Sequence, residues 1–134
     1  TKIRSEFDGA VVTFIGTTRR TTNDREVLRL EYEAYRPMAD NKLLEIDQEI
    51  RQRWSVNELV IAHRLGRLEI LDVSLVVVVA SPHRKEAFAA CQHSVDRIKQ
   101  IVPIWKKEFF KDGEIWVGSQ KHMDWIEQVK TPTS

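Results

Sequence analysis

Val73-Ser-Leu-Val-Val-Val-Val-Ala80 runs directly into Ser81-Pro82 and then into His83-Arg-Lys-Glu-Ala-Phe-Ala-Ala-Cys-Gln-His-Ser-Val-Asp-Arg-Ile-Lys-Gln-Ile-Val102. The reading of this stretch decides the fold. Its first segment is apolar on both faces, which predicts a strand in the middle of a sheet. Ser81-Pro82 predicts a helix cap followed by a first-turn proline. From His83 to Val102 the apolar residues Ala87, Phe88, Cys91, Val95, Ile98 and Val102 recur at spacings of three and four. That period predicts a helix with one inward stripe.

Working outward, Ala10 to Ile15 reads as a strand ending at Gly16, and Val27 to Tyr35 alternates as a half-exposed strand. The polar stretch from Thr17 to Glu26 predicts a flexible loop joining antiparallel strands. Pro37 predicts the start of a helix through about Trp54, with Met38, Leu43 or Leu44, and Ile46 or Ile50 inward. Glu58 to Leu65 is a third strand and Gly66 a turn. Beyond Pro103 the chain makes short extended pieces, including Glu114 to Val117, and the polar segment 121–134 forms a loose tail. The order β-β-α-β-β-α predicts an α+β sandwich in one domain spanning 1–134, with a mainly antiparallel sheet and helices packed on one face.

Composition narrows the function classes. The chain has 134 residues, 42% apolar and 31% charged, as a globular protein does. The longest apolar run, Leu75 to Ala80, is too short to span a membrane. Cys91 is the one cysteine, so no disulfide forms within the chain. Its place on an apolar helix face predicts a buried structural thiol, and a reducing, cytoplasmic setting follows. The four histidines are scattered and lack zinc-ligand spacing, so no metal is expected. Walker and nucleophile-elbow motifs are absent, and nothing calls for a cofactor.

Charge is concentrated in one place. Between Arg97 and Lys111 stand five basic residues (Arg97, Lys99, Lys106, Lys107, Lys111) against one acid, Glu108, a local excess of +4 in a chain of net +1. A cation cluster beside the rigid anchor Val102-Pro-Ile-Trp105 suits an anionic ligand. Lysines after a helix also serve simply as solvated partners of the negative helix end, the plainer reading for Lys107 and Lys111. Lys99 sits at the edge of the inward stripe and Lys106 follows two apolar residues. A lysine crowded by cations or partly desolvated yields its proton more easily and suits acid/base chemistry.

Two further basic sites stand out. His83-Arg84 lies at the start of the last helix, where free N–H groups and the dipole favour phosphate or carboxylate, although both side chains can equally be solvated surface. Gly16-Thr17-Thr18-Arg19 follows a strand and offers a close backbone approach and a bidentate guanidinium. His63-Arg64 places one member inward, a structural histidine. Net charge of +1 argues against a nucleic-acid module, which needs a broad basic face. A non-catalytic scaffold would use the same strands and tryptophans while leaving the lysines exposed.

Five motifs stand in one order: Gly9-Ala-Val-Val-Thr-Phe-Ile-Gly-Thr-Thr-Arg19; Leu30-Glu-Tyr-Glu-Ala-Tyr35 with Pro37-Met-Ala39; His63-Arg-Leu-Gly66; His83-Arg84; and Lys99 through Lys106-Lys-Glu108. Together they resemble the large, catalytic subunit of molybdopterin synthase over about Gly9 to Val117. The resemblance implies a hammerhead-type two-layer α+β fold. It implies sulfur transfer in molybdenum cofactor biosynthesis, from cyclic pyranopterin monophosphate (precursor Z) to molybdopterin. The sulfur comes as a C-terminal thiocarboxylate on a small ubiquitin-like subunit, within a homodimer of large subunits extended to a heterotetramer. Lys99 and Lys106 match the catalytic pair, with Thr17, Thr18, Arg19, His83, Arg84, Lys107 and Glu108 completing substrate binding. On that reading Lys99 stabilises charge as sulfur leaves and Lys106 exchanges protons with the pterin. The chain departs from the pattern in lacking most of an N-terminal segment, and in having Leu71-Asp72 where Gly-Asp is common.

Overall fold

The computed structural model describes residues 5–22, 24–111 and 113–117. Its strands are β1 (Ala10–Thr17), β2 (Thr21–Thr22), β3 (Arg25–Ala34), β4 (Glu58–His63), β5 (Gly66–Leu68), β6 (Val73–Ser81), β7 (Ile104–Phe110) and β8 (Gly113–Val117). Two helices, α1 (Arg36–Arg53) and α2 (Arg84–Ile101), complete it. The expected tail, 121–134, lies outside the described residues.

The strands form two sheets where the sequence suggested one, and every pairing is antiparallel. The first has the order β1-β6-β4, so the apolar Val73–Ser81 strand is central as its composition requires. The second has the order β2-β3-β7-β8, with β5 also on β3. β1 and β3 are therefore not paired with each other. The polar stretch between them is only partly a loop, because Thr21 and Thr22 pair with Glu26 and Arg25 in a small hairpin.

Alternation along β6 turns Leu75, Val77 and Val79 toward the helices, where they pack with Leu59 of β4, Ile46 and Ile50 of α1, and Ala87, Cys91 and Ile98 of α2. Ile46 and Ile50 are fully buried, each stabilising the fold by about 2 kcal/mol relative to exposure. Leu44, the other choice at its position, faces water. A smaller core of Val27, Leu30, Leu68 and Phe110 holds the second sheet. Among the described residues no helix is long and apolar enough to cross a membrane.

Two local expectations are corrected. Ser81 does not cap α2: it ends β6, and its hydroxyl donates to the Ser55 carbonyl at 2.6 Å. The cap residue is His83, with extended backbone, which puts Pro82 before the helix. Phe88 is 61% exposed rather than in the inward stripe. It lies about 100° around the helix from Ala87, and the inward face is instead completed by Ala90, Ser94 and Ile101. Cys91 is buried as expected, and burial pushes its thiol pKa up.

Candidate active site

α2 begins just after β6 ends and packs back along β6 and β1, so its two ends lie over opposite ends of the three-stranded sheet. The candidate residues divide accordingly. Thr17, Thr18, Arg19, Lys99, Lys106 and Glu108 belong to the end where α2 finishes. His83 and Arg84 belong to the end where it starts, roughly 22 Å of helix rise away from Lys99.

The loop carrying Arg19 is pinned on both sides. Thr18 is 2% exposed, and its N–H and hydroxyl both donate to the Asp72 carbonyl, at 3.0 and 3.2 Å. Leu71 N–H donates back to the Thr18 carbonyl at 3.0 Å, and Val27 N–H to the Arg20 carbonyl at 2.7 Å. Arg19 itself is exposed between these fixed neighbours, a guanidinium on a rigid backbone. Thr17 ends β1 opposite Val73 at a register irregularity and is also exposed.

A chain of contacts joins this loop to Lys106. Ser74 hydroxyl donates to the Gly16 carbonyl at 3.2 Å, and Arg64 N–H donates to the Ser74 carbonyl at 2.8 Å. The adjacent His63 meets Tyr32 edge-on, ring centroids 4.8 Å apart, and Tyr32 lies opposite Lys106 in the sheet. Burial holds the His63 imidazole below the usual histidine range, the neutral structural role its place in the sequence predicted. Tyr32 drew no functional reading from sequence, since strand periodicity assigns a face but no cross-strand neighbour.

Lys106 Nζ stands 3.0 Å from Glu108 Oε1, and Glu108 is buried. The two share one face of β7, two residues apart. Lys107 points to the other face, its amine 5.2 Å from the centre of the Phe109 ring, so the structure does not bring it to Lys106. Lys99 is exposed in the last turn of α2, where a cation complements the helix dipole. Lys111 is exposed as well. At the far end His83 and Arg84 are exposed beside the first-turn N–H groups of α2, and His83 makes no side-chain cap bond.

Two antiparallel sheets with two helices, a pinned loop carrying an exposed arginine and a lysine anchored on a buried carboxylate make an α+β domain with cations gathered at one end. Residues 1–101 match the family described as MoaE protein. The chain is 53% identical over 112 residues to a molybdopterin synthase catalytic subunit of Halalkalibacterium halodurans, covering 84% of this chain and 72% of that protein. It is 50% identical over 119 residues to its counterpart in Bacillus subtilis, covering 89% and 76%. The crystal structure of molybdopterin synthase from Staphylococcus aureus superposes with a TM-score of 0.83 at 46% identity, over 87% of this chain and 85% of that one. The chain belongs to the MoaE family of molybdopterin synthase catalytic subunits. Its activity is sulfur transfer in molybdenum cofactor biosynthesis.

Proposed function

We propose that this protein takes cyclic pyranopterin monophosphate as substrate and receives sulfur from the C-terminal thiocarboxylate of a small ubiquitin-like subunit. Lys99 and Lys106 are the catalytic pair. Thr17, Thr18, Arg19, His83, Arg84, Lys107 and Glu108 serve substrate binding, Arg19 and Arg84 as ligands of the phosphate and Thr18 through the backbone it fixes. The observation that carries this reading is the contact chain tying the pinned Arg19 loop to Lys106 through Ser74, Arg64, His63 and Tyr32. It supports reading the Arg19 guanidinium and the Lys106 ammonium as two cations of one anion site at the same end of the fold. A small-subunit partner is supported by a Helicobacter pylori structure of this fold, TM-score 0.71 at 23% identity, described as a complex of subunits 1 and 2 of molybdopterin-converting factor.

The separation of His83 and Arg84 from the lysines supports a homodimer, the core of the heterotetramer. The face of the β1-β6-β4 sheet turned away from the helices carries Val11, Ile15, Val60, Val76 and Val78, with Val11 40% and Ile15 55% exposed. Two copies stacked on this face about a two-fold axis across the strands reverse the ends of the sheet. His83 and Arg84 of one copy then come to the same end of the assembly as Arg19, Lys99 and Lys106 of the other. The protein acts in the cytoplasm.

Reconstitution tests the reading. The full chain, cyclic pyranopterin monophosphate and a thiocarboxylated carrier are expected to yield molybdopterin, and Lys99→Ala and Arg84→Ala each to abolish or sharply reduce it. Mixing these two variants in one dimer regenerates one complete site, so activity returns. Absence of product from the unaltered chain defeats the substrate assignment, and absence of complementation defeats the two-copy site.

A further inference from the structure

Glu108 is a carboxylate where the fold otherwise places apolar side chains. It shares its face of β7 with Phe110, 6% exposed, and lies opposite Leu30, which pairs on its other edge with the fully buried Leu68. Its side chain is 3% exposed. An ionised carboxylate in such surroundings is heavily penalised unless a cation meets it. Lys106, 3.0 Å away, is its ion-pair partner, and no other cation pairs with Glu108 among the described residues. The lysine side chain keeps 29% exposure, so its ammonium has one side on a buried anion and another toward solvent. Lys99 differs. It is exposed at the helix end and has no ion-pair partner among the described residues.

We propose that Glu108 is a positioning residue for Lys106. Its buried carboxylate takes one ammonium N–H and holds the lysine as a fixed cation and hydrogen-bond donor. The inference rests on the reading of Lys106 as a lysine of the sulfur-transfer site, and it divides the labour of the two lysines. An ammonium has three N–H donors, so with one given to Glu108 two remain for the oxygens of the thiocarboxylate or the phosphate. A charge held in place before the reaction stabilises developing negative charge without reorganisation. On this reading Lys106 serves as a held hydrogen-bond donor.

The test uses the full chain with Glu108→Gln, which keeps shape and hydrogen-bonding capacity but removes the charge, and Glu108→Asp, which keeps the charge at shorter reach. Lys106 is labelled with an amine-acylating reagent and its rate followed by mass spectrometry, a measurement independent of catalysis. Slow labelling in the unaltered protein and about tenfold faster labelling in Glu108→Gln is the expected result, with Glu108→Asp in between. In the reconstituted reaction Glu108→Gln lowers kcat by about tenfold or more with little change in KM, and Glu108→Asp recovers part of the loss. Glu108→Gln adds no further loss to Lys106→Ala. Equal labelling of Lys106 in the folded unaltered and Gln proteins overturns the proposal, as does a kcat loss that multiplies with that of Lys106→Ala. Should the Gln variant fail to fold, equal labelling in Glu108→Asp and the unaltered protein overturns it. Failure of the unaltered protein to form product strikes the sulfur-transfer reading alone, because the labelling still decides the ion pair.

Discussion

Thr18 gives both of its donors to one acceptor, the carbonyl oxygen of Asp72, through its N–H at 3.0 Å and its hydroxyl at 3.2 Å. The residue next to Arg19 is thus tied to a turn more than fifty positions away in the chain. Removing the hydroxyl at nearly constant volume isolates its share. Thr18→Val is expected to lose about 1 kcal/mol in urea unfolding, with the N–H bond retained. Loosening of the loop raises KM for the anionic substrate more than it lowers kcat.

Leu71 carries a positive φ of 77° in the turn closed by Asp72 N–H on the Glu69 carbonyl at 3.0 Å. An L side chain is strained there, and this position of such a turn favours glycine. Leu71 is 80% exposed, so truncating it forfeits almost no burial. Leu71→Gly should stabilise the protein by roughly 0.5–1 kcal/mol, the relief of strain exceeding the extra chain entropy. A thermal melt checks the sign.

Gly9 is needed for its missing side chain. A Cβ there would stand 2.3 Å from the Pro82 carbonyl oxygen, backbone against backbone. The Gly9 N–H also donates to the Ser81 carbonyl at 3.1 Å, so the two segments cannot simply part. Gly9→Ala is expected to cost about 1–3 kcal/mol. The displacement falls on the residues leading to His83 and Arg84, and substrate affinity should drop with stability.

His63 sets a pH dependence on the weakly acidic side. Burial holds its pKa below the ordinary histidine value of 6.5, so between those two values the unfolded chain binds a proton that the native state excludes. Its contribution to stability is full above 6.5 and is lost as pH falls toward the folded value. His63→Phe keeps a ring against Tyr32 and should flatten stability across that window. Denaturant midpoints at a series of pH values read this directly.

Glu49 acts lower on the scale. A hydrogen bond with His93 Nε2 chiefly holds its carboxyl below the ordinary glutamate value of 4.5, with Arg97 adding to the effect. The unfolded chain therefore takes up the proton first, and the α1–α2 contact contributes stability that is present above 4.5 and lost as pH falls through the folded value. Glu49→Gln should lower stability at neutral pH and remove the loss in that acid window. Acid titration followed by circular dichroism distinguishes the variants.

Period and composition alone determined a good deal. Six apolar residues in a row made Val73–Ser81 the centre of a sheet, and spacings of three and four made α2 a helix with one buried face, because burial repeats with the geometry of each element. The ordered motifs carried the family. The sequence also marked Lys99, Lys106, Glu108, Arg19, His83 and Arg84 as residues of interest, since charge beside rigid apolar anchors is visible without coordinates. Pairing was decided only in three dimensions. Strand periodicity is satisfied by any partner that covers the apolar face, so it did not separate β1 from β3 into two sheets or set Tyr32 opposite Lys106. The capping of α2 at His83 and the exposure of Phe88 depend on how the helix is rotated against β6. The tertiary structure likewise buried Glu108 against Lys106 and put His83 and Arg84 a helix length from the lysines. Distances between residues far apart in the chain follow from packing, and packing is a property of the whole fold.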